Sequence, residues 1–373
     1  DVTLMWLRGM QGPSFNTFIR FRTVYFIIIL EDVFTVLLEF LHGKGYFSYQ
    51  DFFVDGTKLE ANSGRYTYVW RKNTKRYKAA VKERVTKLLQ EVDKLNQAED
   101  EKYGDAEQPE SGRKTDITSD ELQELATGLS EHLTSISDKK KKRKLKTTAG
   151  RLKKEADKLA KYEAQEDLLD GRNSYAKTDT DATFMRMKDD RLRAAYNIQV
   201  STENQFIANY SISPNASDSV TFPEHLEKIN QRGDSYKPKN YVGDAGYGSE
   251  ENYSLLEEHD INSYLKYNTF HWEQKKRSGK KRFHYTNFSY NQDKDCFICP
   301  AGNKLTYIKT THKKSKTGFT STIRIYECSG CAVCEFKPQC TKAKHNRQIR
   351  YNVQLEKYKE QARANLNSEQ GIK

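Results

Sequence analysis

Cysteine is absent from most of this chain. All six cysteines of the 373 residues lie between 296 and 340. Long apolar runs are scarce as well. The longest near the start, Val24 to Leu30, ends at Glu31-Asp32, far short of the roughly 20 residues a bilayer-spanning helix needs. No secretory leader pattern stands at the start, so a soluble, cytoplasmic protein with no membrane partner is expected. Histidine is sparse: eight residues, scattered, with no HExxH pair and no histidine-based triad. No GxxxxGK[ST] loop occurs, which leaves ATP-driven chemistry unsupported. The first residue is Asp rather than Met, as in a chain that is a fragment at its N-terminus.

What the chain has in excess is charge. Charged residues make up 31% of it, hydrophobic ones 36%, and the formal net charge is +12. That balance favours a polyanionic partner, most simply nucleic acid. The 23 Tyr and 18 Phe could stack on bases, although most aromatics serve as core or half-buried strand residues.

Along the chain, residues 1–45 read as helical, with Val33, Val36, Leu37, Phe40 and Leu41 forming an apolar stripe that Gly43 and Gly45 end. Residues 46–70 contain a first strand, Phe52 to Val54, that runs into Asp55-Gly56. Residues 71–190 read as a helical, coiled-coil-like insertion. Its apolar positions Val81, Val85, Leu88, Val92 and Leu95 recur at helix spacing, as do Leu122, Leu125, Leu129 and Leu133, and Leu145, Ala149, Leu152, Ala156 and Leu159. An acidic stretch, 98–118, reads as a flexible loop between them. Residues 191–268 turn strand-like: two strands joined at Glu203-Asn204, a helix over 218–231 with Asp218 near its N-cap, a strand through "NYVGDAG", a helix over 249–258 and a strand at 262–267. Residues 269–345 are basic and cysteine-rich, and 346–373 begin a further helical segment.

Alone, Asp244 reads as a turn or helix cap. Asp55 changes that, because it too follows a short apolar strand and precedes a glycine. A meander of three strands followed by helix, strand, helix, strand is a ribonuclease H-like order, in which the first and fourth strands are neighbours. Asp55 and Asp244 would then converge although 189 positions separate them. Two such carboxylates can hold hard divalent cations, and paired metals stabilise the attacking and leaving oxygens of phosphoryl transfer.

Three stretches carry a resemblance. "FVDGTKLEANSGRYTYVW", "YNIQVSTENQFI" and "VGDAGYGSEENY" resemble the motifs of bacterial insertion-sequence transposases of the DDE class, and the opening "LMWLRGMQGPSFNTFIRFR" is similar to their N-terminal, DNA-binding-type helical region. The resemblance implies an α/β, ribonuclease H-like mixed sheet with a helical insertion after its first strand and a zinc-ribbon-like insertion after its last. It also implies Mg²⁺ or Mn²⁺ dependence, cleavage and joining of double-stranded DNA at transposon ends and target, nucleoid association and a homodimer in the intact family. Asp55 would be the first catalytic acid and Asp244 the second. The family's third acid, a Glu in a Glu-x-x-Phe-Gly segment, has no match here. Glu356, Glu360 and Glu369 lie in the right region without the motif, so that acid is expected beyond Lys373 and this copy is expected to be truncated. An inactive DNA-binding remnant and a metal-dependent nuclease of the same fold are the competing readings.

Cys296-x2-Cys299 and Cys331-x2-Cys334, with Cys328 and Cys340 beside the second pair, suit a tetrahedral structural Zn²⁺. Spacing leaves open which four bind. The resemblance favours Cys299, Cys331, Cys334 and Cys340, with Cys296 and Cys328 as alternatives. Candidate DNA-phosphate contacts are Arg65, Arg71, Lys72 and Arg76 after the first aspartate, the run Lys139, Lys140, Lys141, Lys142, Arg143 and Lys144, and Lys275, Lys276 and Arg277 before the cysteines. The 139–146 run reads equally as a solvated helix face. Asp179 and Asp181 read as loop caps.

Overall fold

The structure is a computed structural model that describes residues 5–6, 9–10, 12–64, 66–103, 117–133, 139–274 and 282–372. In chain order, α1 (Phe15–Arg20) passes through a π-helical turn (Phe21–Phe26) into α2 (Ile27–Gly43). There follow β1 (Asp51–Glu60), β2 (Tyr68–Trp70), α3 (Arg71–Tyr103), α4 (Ser119–His132), α5 (Lys139–Leu169), β3 (Ser174–Ala176) and β4 (Thr183–Arg186). Next come β5 (Leu192–Glu203), β6 (Phe206–Ser213), α6 (Asp218–Arg232), β7 (Asn240–Gly243), α7 (Glu250–Glu258), β8 (Asn262–Leu265) and α8 (Phe270–Gln274). The last part holds β9 (Ser289–Asn291), β10 (Cys296–Ile298), β11 (Lys304–Lys314), β12 (Thr320–Cys328), α9 (Lys337–Cys340), β13 (Gln348–Tyr351), α10 (Val353–Leu366) and α11 (Glu369–Ile372). Two units divide the chain: Asp1–Thr57 with Ile198–Ile212 and Ser217–Lys373, and Lys58–Asn197 with Ser213–Ala216.

In the first unit the core strands lie in the order β6-β5-β1-β7-β8. β1 pairs with β7, and β7 with β8, in parallel. Numbered by appearance, these five strands stand third, second, first, fourth, fifth, a mixed α/β sheet compatible with a ribonuclease H-like transposase. The hairpin between β5 and β6 turns at Asn204 and Gln205, both with positive φ (50° and 69°), the conformation a tight two-residue hairpin needs. Phe52, Val54, Tyr241, Phe222, Leu226, Leu256 and Leu265 fill the core. Buried Glu203 fixes the approach to β1: its carboxylate accepts the backbone N–H groups of Ser48, Tyr49 and Gln50 at 2.9–3.3 Å.

The N-terminal helix corrects the expected stripe. Leu38 is fully buried, with Phe34 and Leu41 packed beside it, whereas Val33, Val36, Leu37 and Phe40 are exposed. Apolar residues surround this helix on every side, so periodicity alone does not fix which face turns inward.

A second sheet of the same unit runs β13-β12-β11-β10-β9. It continues beyond 345 to Tyr351, because Arg324 to Glu327 of β12 need a partner and β13 supplies it. Phe288, Phe297, Leu305, Tyr326 and Ile349 form its core.

In the second unit, α3, α4 and α5 pack through Val81, Val85, Val92, Leu122, Ala126, Leu152, Ala156 and Leu159. Thr118 begins α4 with a capping box completed by Glu121. The chain after α5 is not helical: β3 pairs with β2, and β4 with the start of β5. Ser174, Tyr175 and Ala176 are all buried, and so short a run carries no alternation by which sequence could mark a strand. Tyr196 donates to Asp179 at 2.7 Å, which gives that aspartate a loop-fastening role. Residues 104–116, most of the expected acidic loop, lie outside the described residues.

Candidate functional site

Register builds the site. Val54 of β1 stands opposite Gly243 of β7 on neighbouring parallel strands. The next residues are Asp55 and Asp244, so the two acids occupy one edge of the sheet on backbones about 5 Å apart. Both are exposed, whereas Val54 and Gly243 before them are buried. Each carboxylate accepts a nearby backbone N–H through Oδ1: Gly56 donates to Asp55 and Gly246 to Asp244, both at 2.8 Å. These local bonds, one within β1 and one in the turn after β7, engage Oδ1 of each acid.

A third carboxylate lies at the same edge. Asp218 opens α6, yet the N-cap position belongs to Ser217, whose side chain makes no capping bond. A Cβ added at Gly56 would stand 2.6 Å from Asp218 Oδ1, and one added at Gly246 would stand 2.9 Å from Asp244 Oδ1 and 3.3 Å from Asp218 Oδ2. Asp244 follows the end of β7, whereas Asp55 lies within β1, which runs on to Glu60 rather than ending at the aspartate; the glycines beside the two acids leave the room that the Asp218 carboxylate fills. Gln199 Nε2 donates to Asp218 Oδ1 at 2.9 Å, and the buried Tyr247 hydroxyl donates to Gln199 Oε1. Burial raises the Tyr247 pKa, and the charges of Asp218, Asp55 and Asp244 raise it further. The phenol keeps its proton and stays a donor. Sequence reading places Asp218 only near a helix cap, because an acid at a helix start most often serves the helix itself. The signal that points further is its place just after the third core strand.

Among the described residues no group of three or more His, Cys, Asp or Glu side chains stands in an arrangement that could hold a metal ion. Of the alternatives for the third acid, Glu356 pairs with Lys359 at 2.8 Å within α10.

The cysteines gather in the second sheet. Cys299, Cys328, Cys331, Cys334 and Cys340 line one cavity of about 20 Å³, together with Phe288, Leu305 and Arg347. All six cysteines are free thiols. Backbone N–H groups of Asn303 and Arg347 donate to Cys299 Sγ and Cys331 Sγ, both at 3.3 Å. Burial, then the neighbouring Cys331, pushes the Cys328 thiol up to about 11. Cys296 is buried in β10 and is not part of the cavity lining.

The basic candidates divide. Arg71 clasps the Gly171 carbonyl at 2.9 Å, and Arg76 lies over the Tyr77 ring at 4.9 Å, so both have structural work. Lys72, Lys139, Lys140, Lys142, Arg143 and Lys144 are exposed, the last five in the first turns of α5. Lys141 lies in the same helix. Arg65, Lys275, Lys276 and Arg277 fall outside the described residues.

Exposed carboxylates gathered on neighbouring elements of such a sheet offer only hard oxygen donors. Comparison with known families goes further. Residues 298–373 match the family model described as "Transposase DDE domain". The match supports a DDE-type transposase, and with it a nucleotidyl-transfer enzyme class and DNA as substrate. It covers the later cysteine-rich strands and α10 and does not reach Asp55, Asp218 or Asp244. No curated protein and no solved structure matches the chain. Among the described residues no helix is long and apolar enough to cross a membrane.

Proposed function

We propose that this chain cleaves and joins DNA strands as an insertion-sequence transposase, and that Asp55, Asp218 and Asp244 form its catalytic centre. The observation that carries the reading is the parallel register that sets Asp55 beside Asp244, with the Asp218 carboxylate seated over the glycines that follow them. The donor set is all carboxylate oxygen, which suits Mg²⁺ or Mn²⁺. When bound, such an ion polarises a phosphoryl oxygen and lowers the pKa of a coordinated water. The three aspartates would hold it. Gln199 keeps Asp218 turned toward the gap, and Tyr247 keeps Gln199 turned toward Asp218, so the third acid arrives already oriented.

The test is metal-dependent nicking of terminal-repeat DNA, followed by strand joining. Asp244→Asn and Asp218→Asn should each abolish nicking while the fold persists. DNA binding by the unaltered chain without any nicking would favour the inactive remnant, and nicking without joined products the simple nuclease.

We also infer a structural Zn²⁺ at the cysteine cavity. Four thiolates with backbone N–H donors on two of them are the usual surroundings of such an ion. Cys299, Cys331, Cys334 and Cys340 are the ligand set, with Cys328 adjoining and Cys296 apart. Zinc would pin the cysteine turns against the small core of the second sheet.

A further inference from the structure

We propose that the β11–β12 ribbon is a DNA-binding arm that enters a groove of the duplex and holds it at the aspartate edge. The inference rests on DNA being the substrate. β10 pairs only with Leu305 and its two neighbours on β11, and β13 pairs only with Arg324 to Glu327 of β12. Beyond them the pairs from Thr311↔Ile323 to Lys314↔Thr320 have no third strand. Thr306 to Thr310 and His312 to Lys314 are exposed in consecutive runs, so both faces of this ribbon meet solvent. Lys304, Lys309, Lys313, Lys314 and Lys316 lie along it, and no Asp or Glu occurs from Lys304 to Tyr326. Threonine and serine hydroxyls fill much of the rest, the side chains that bond phosphate oxygens. A two-stranded ribbon fits a major groove about 12 Å wide.

Placement adds a second argument. At the ribbon tip the Thr317 hydroxyl donates to Glu251 Oε2 at 2.6 Å. Glu251 lies in the first turn of α7, the helix that the chain enters directly after Asp244. The tip therefore stands against the first turn of α7, seven positions along the chain from Asp244, and a duplex gripped by the arm would present its backbone on that side. Arg324 is not part of this grip, because Asp295 already pairs with it.

The experiment measures the full chain binding a fluorescein-labelled duplex of about 30 base pairs over a range of salt concentrations. Replacing Lys309, Lys313, Lys314 and Lys316 together by Gln should lower the slope of log affinity against log salt by roughly 3–4. It should also weaken binding at least about tenfold at ~150 mM salt. The same four positions changed to Arg should bind as the unaltered chain does, which separates lost charge from a damaged hairpin. An unchanged slope in the Gln variant overturns the proposal. So does a slope loss confined to a variant with Lys139, Lys140, Lys142 and Lys144 changed to Gln. If the arm variant binds normally while nicking still depends on Asp244, only the arm falls. If the unaltered chain neither binds nor nicks, the transposase reading falls as well.

Discussion

Two candidate metal centres in this chain are built on opposite plans. The aspartates come from three segments that run from residue 55 to residue 244: sheet register brings Asp55 beside Asp244, and the start of α6 sets Asp218 over the glycines that follow them. The cysteines come from one stretch between 296 and 340, and short turns bring them together. The first site is exposed and made of hard oxygen donors; the second lines a small cavity and is made of soft sulfur. A site assembled across a sheet can open to a large substrate, because its rigidity comes from strands that are themselves buried. A site assembled by turns must be closed to hold those turns in place. On this contrast, the proposed function gives chemistry to the open site and stability to the closed one.

The largest expected effects test that division directly. Asp244→Asn should lower nicking by at least about a hundredfold, since metal stabilisation of phosphoryl transfer is worth several kcal/mol. Its melting temperature should stay within a few degrees of the unaltered chain. Cys331→Ser, or a zinc chelator, should do the reverse in kind, with a loss of roughly 3 kcal/mol or more of folding stability. Calorimetry and a nicking assay on both variants make the check. A Cys331→Ser protein that melts normally would remove the zinc proposal, and Asp244→Asn unfolding would remove the division of labour.

A smaller effect sharpens the comparison within the aspartate site. Gly56→Ala places a methyl 2.6 Å from Asp218 Oδ1 and 2.7 Å from Gln199 Nε2. Overpacking of this kind costs about 1–3 kcal/mol, and displacing a catalytic group by about 1 Å can lower turnover up to ~100-fold. Gly128→Ala, on an exposed face inside α4 with open space around it, should leave nicking unchanged and raise stability by up to about 1 kcal/mol. If Gly56→Ala nicks DNA at the normal rate, Asp218 is not a catalytic acid.

The two sites differ in how legible they are in the sequence, for the same reason that they differ in construction. The cysteine spacing is local, so two CxxC units mark the region on their own. Asp55 and Asp244 emerge only when strand order is added to the residues, since nothing local joins them. Asp218 escapes, because a helix-start aspartate has a sufficient local explanation and its real setting depends on glycines far along the chain. The long helices of the second unit are legible from Val81, Val85, Leu152 and Leu159, whose spacing matches their burial. The short strands β2, β3 and β4 carry no periodic signal, and polarity hides the ribbon of β11 and β12. Its exposed lysines and threonines look like loop until the pairing is seen.

The smallest expected effect uses a buried group that belongs to neither site. His225 is fully buried, and its ring nitrogens meet the hydroxyls of Ser201 at 2.7 Å and Ser211 at 2.9 Å. Burial, then the charges of Arg232 and Lys228, lowers its pKa from 6.5 to about 3. The folded-state value lies below the unfolded one, so the unfolded chain takes up a proton that the folded chain refuses. Stability from this residue is complete above about pH 6.5 and declines as pH falls toward 3, by on the order of 1 kcal/mol for each pH unit crossed. Denaturant melts between pH 7 and pH 4.5 measure it. His225→Gln should lower stability at pH 7 and flatten the acid slope. Acid also releases zinc from thiolates, so the same series on Cys331→Ser separates the two. A slope that survives Cys331→Ser and disappears in His225→Gln belongs to the core beneath the aspartates, and a slope with the opposite pattern belongs to the cysteine sheet.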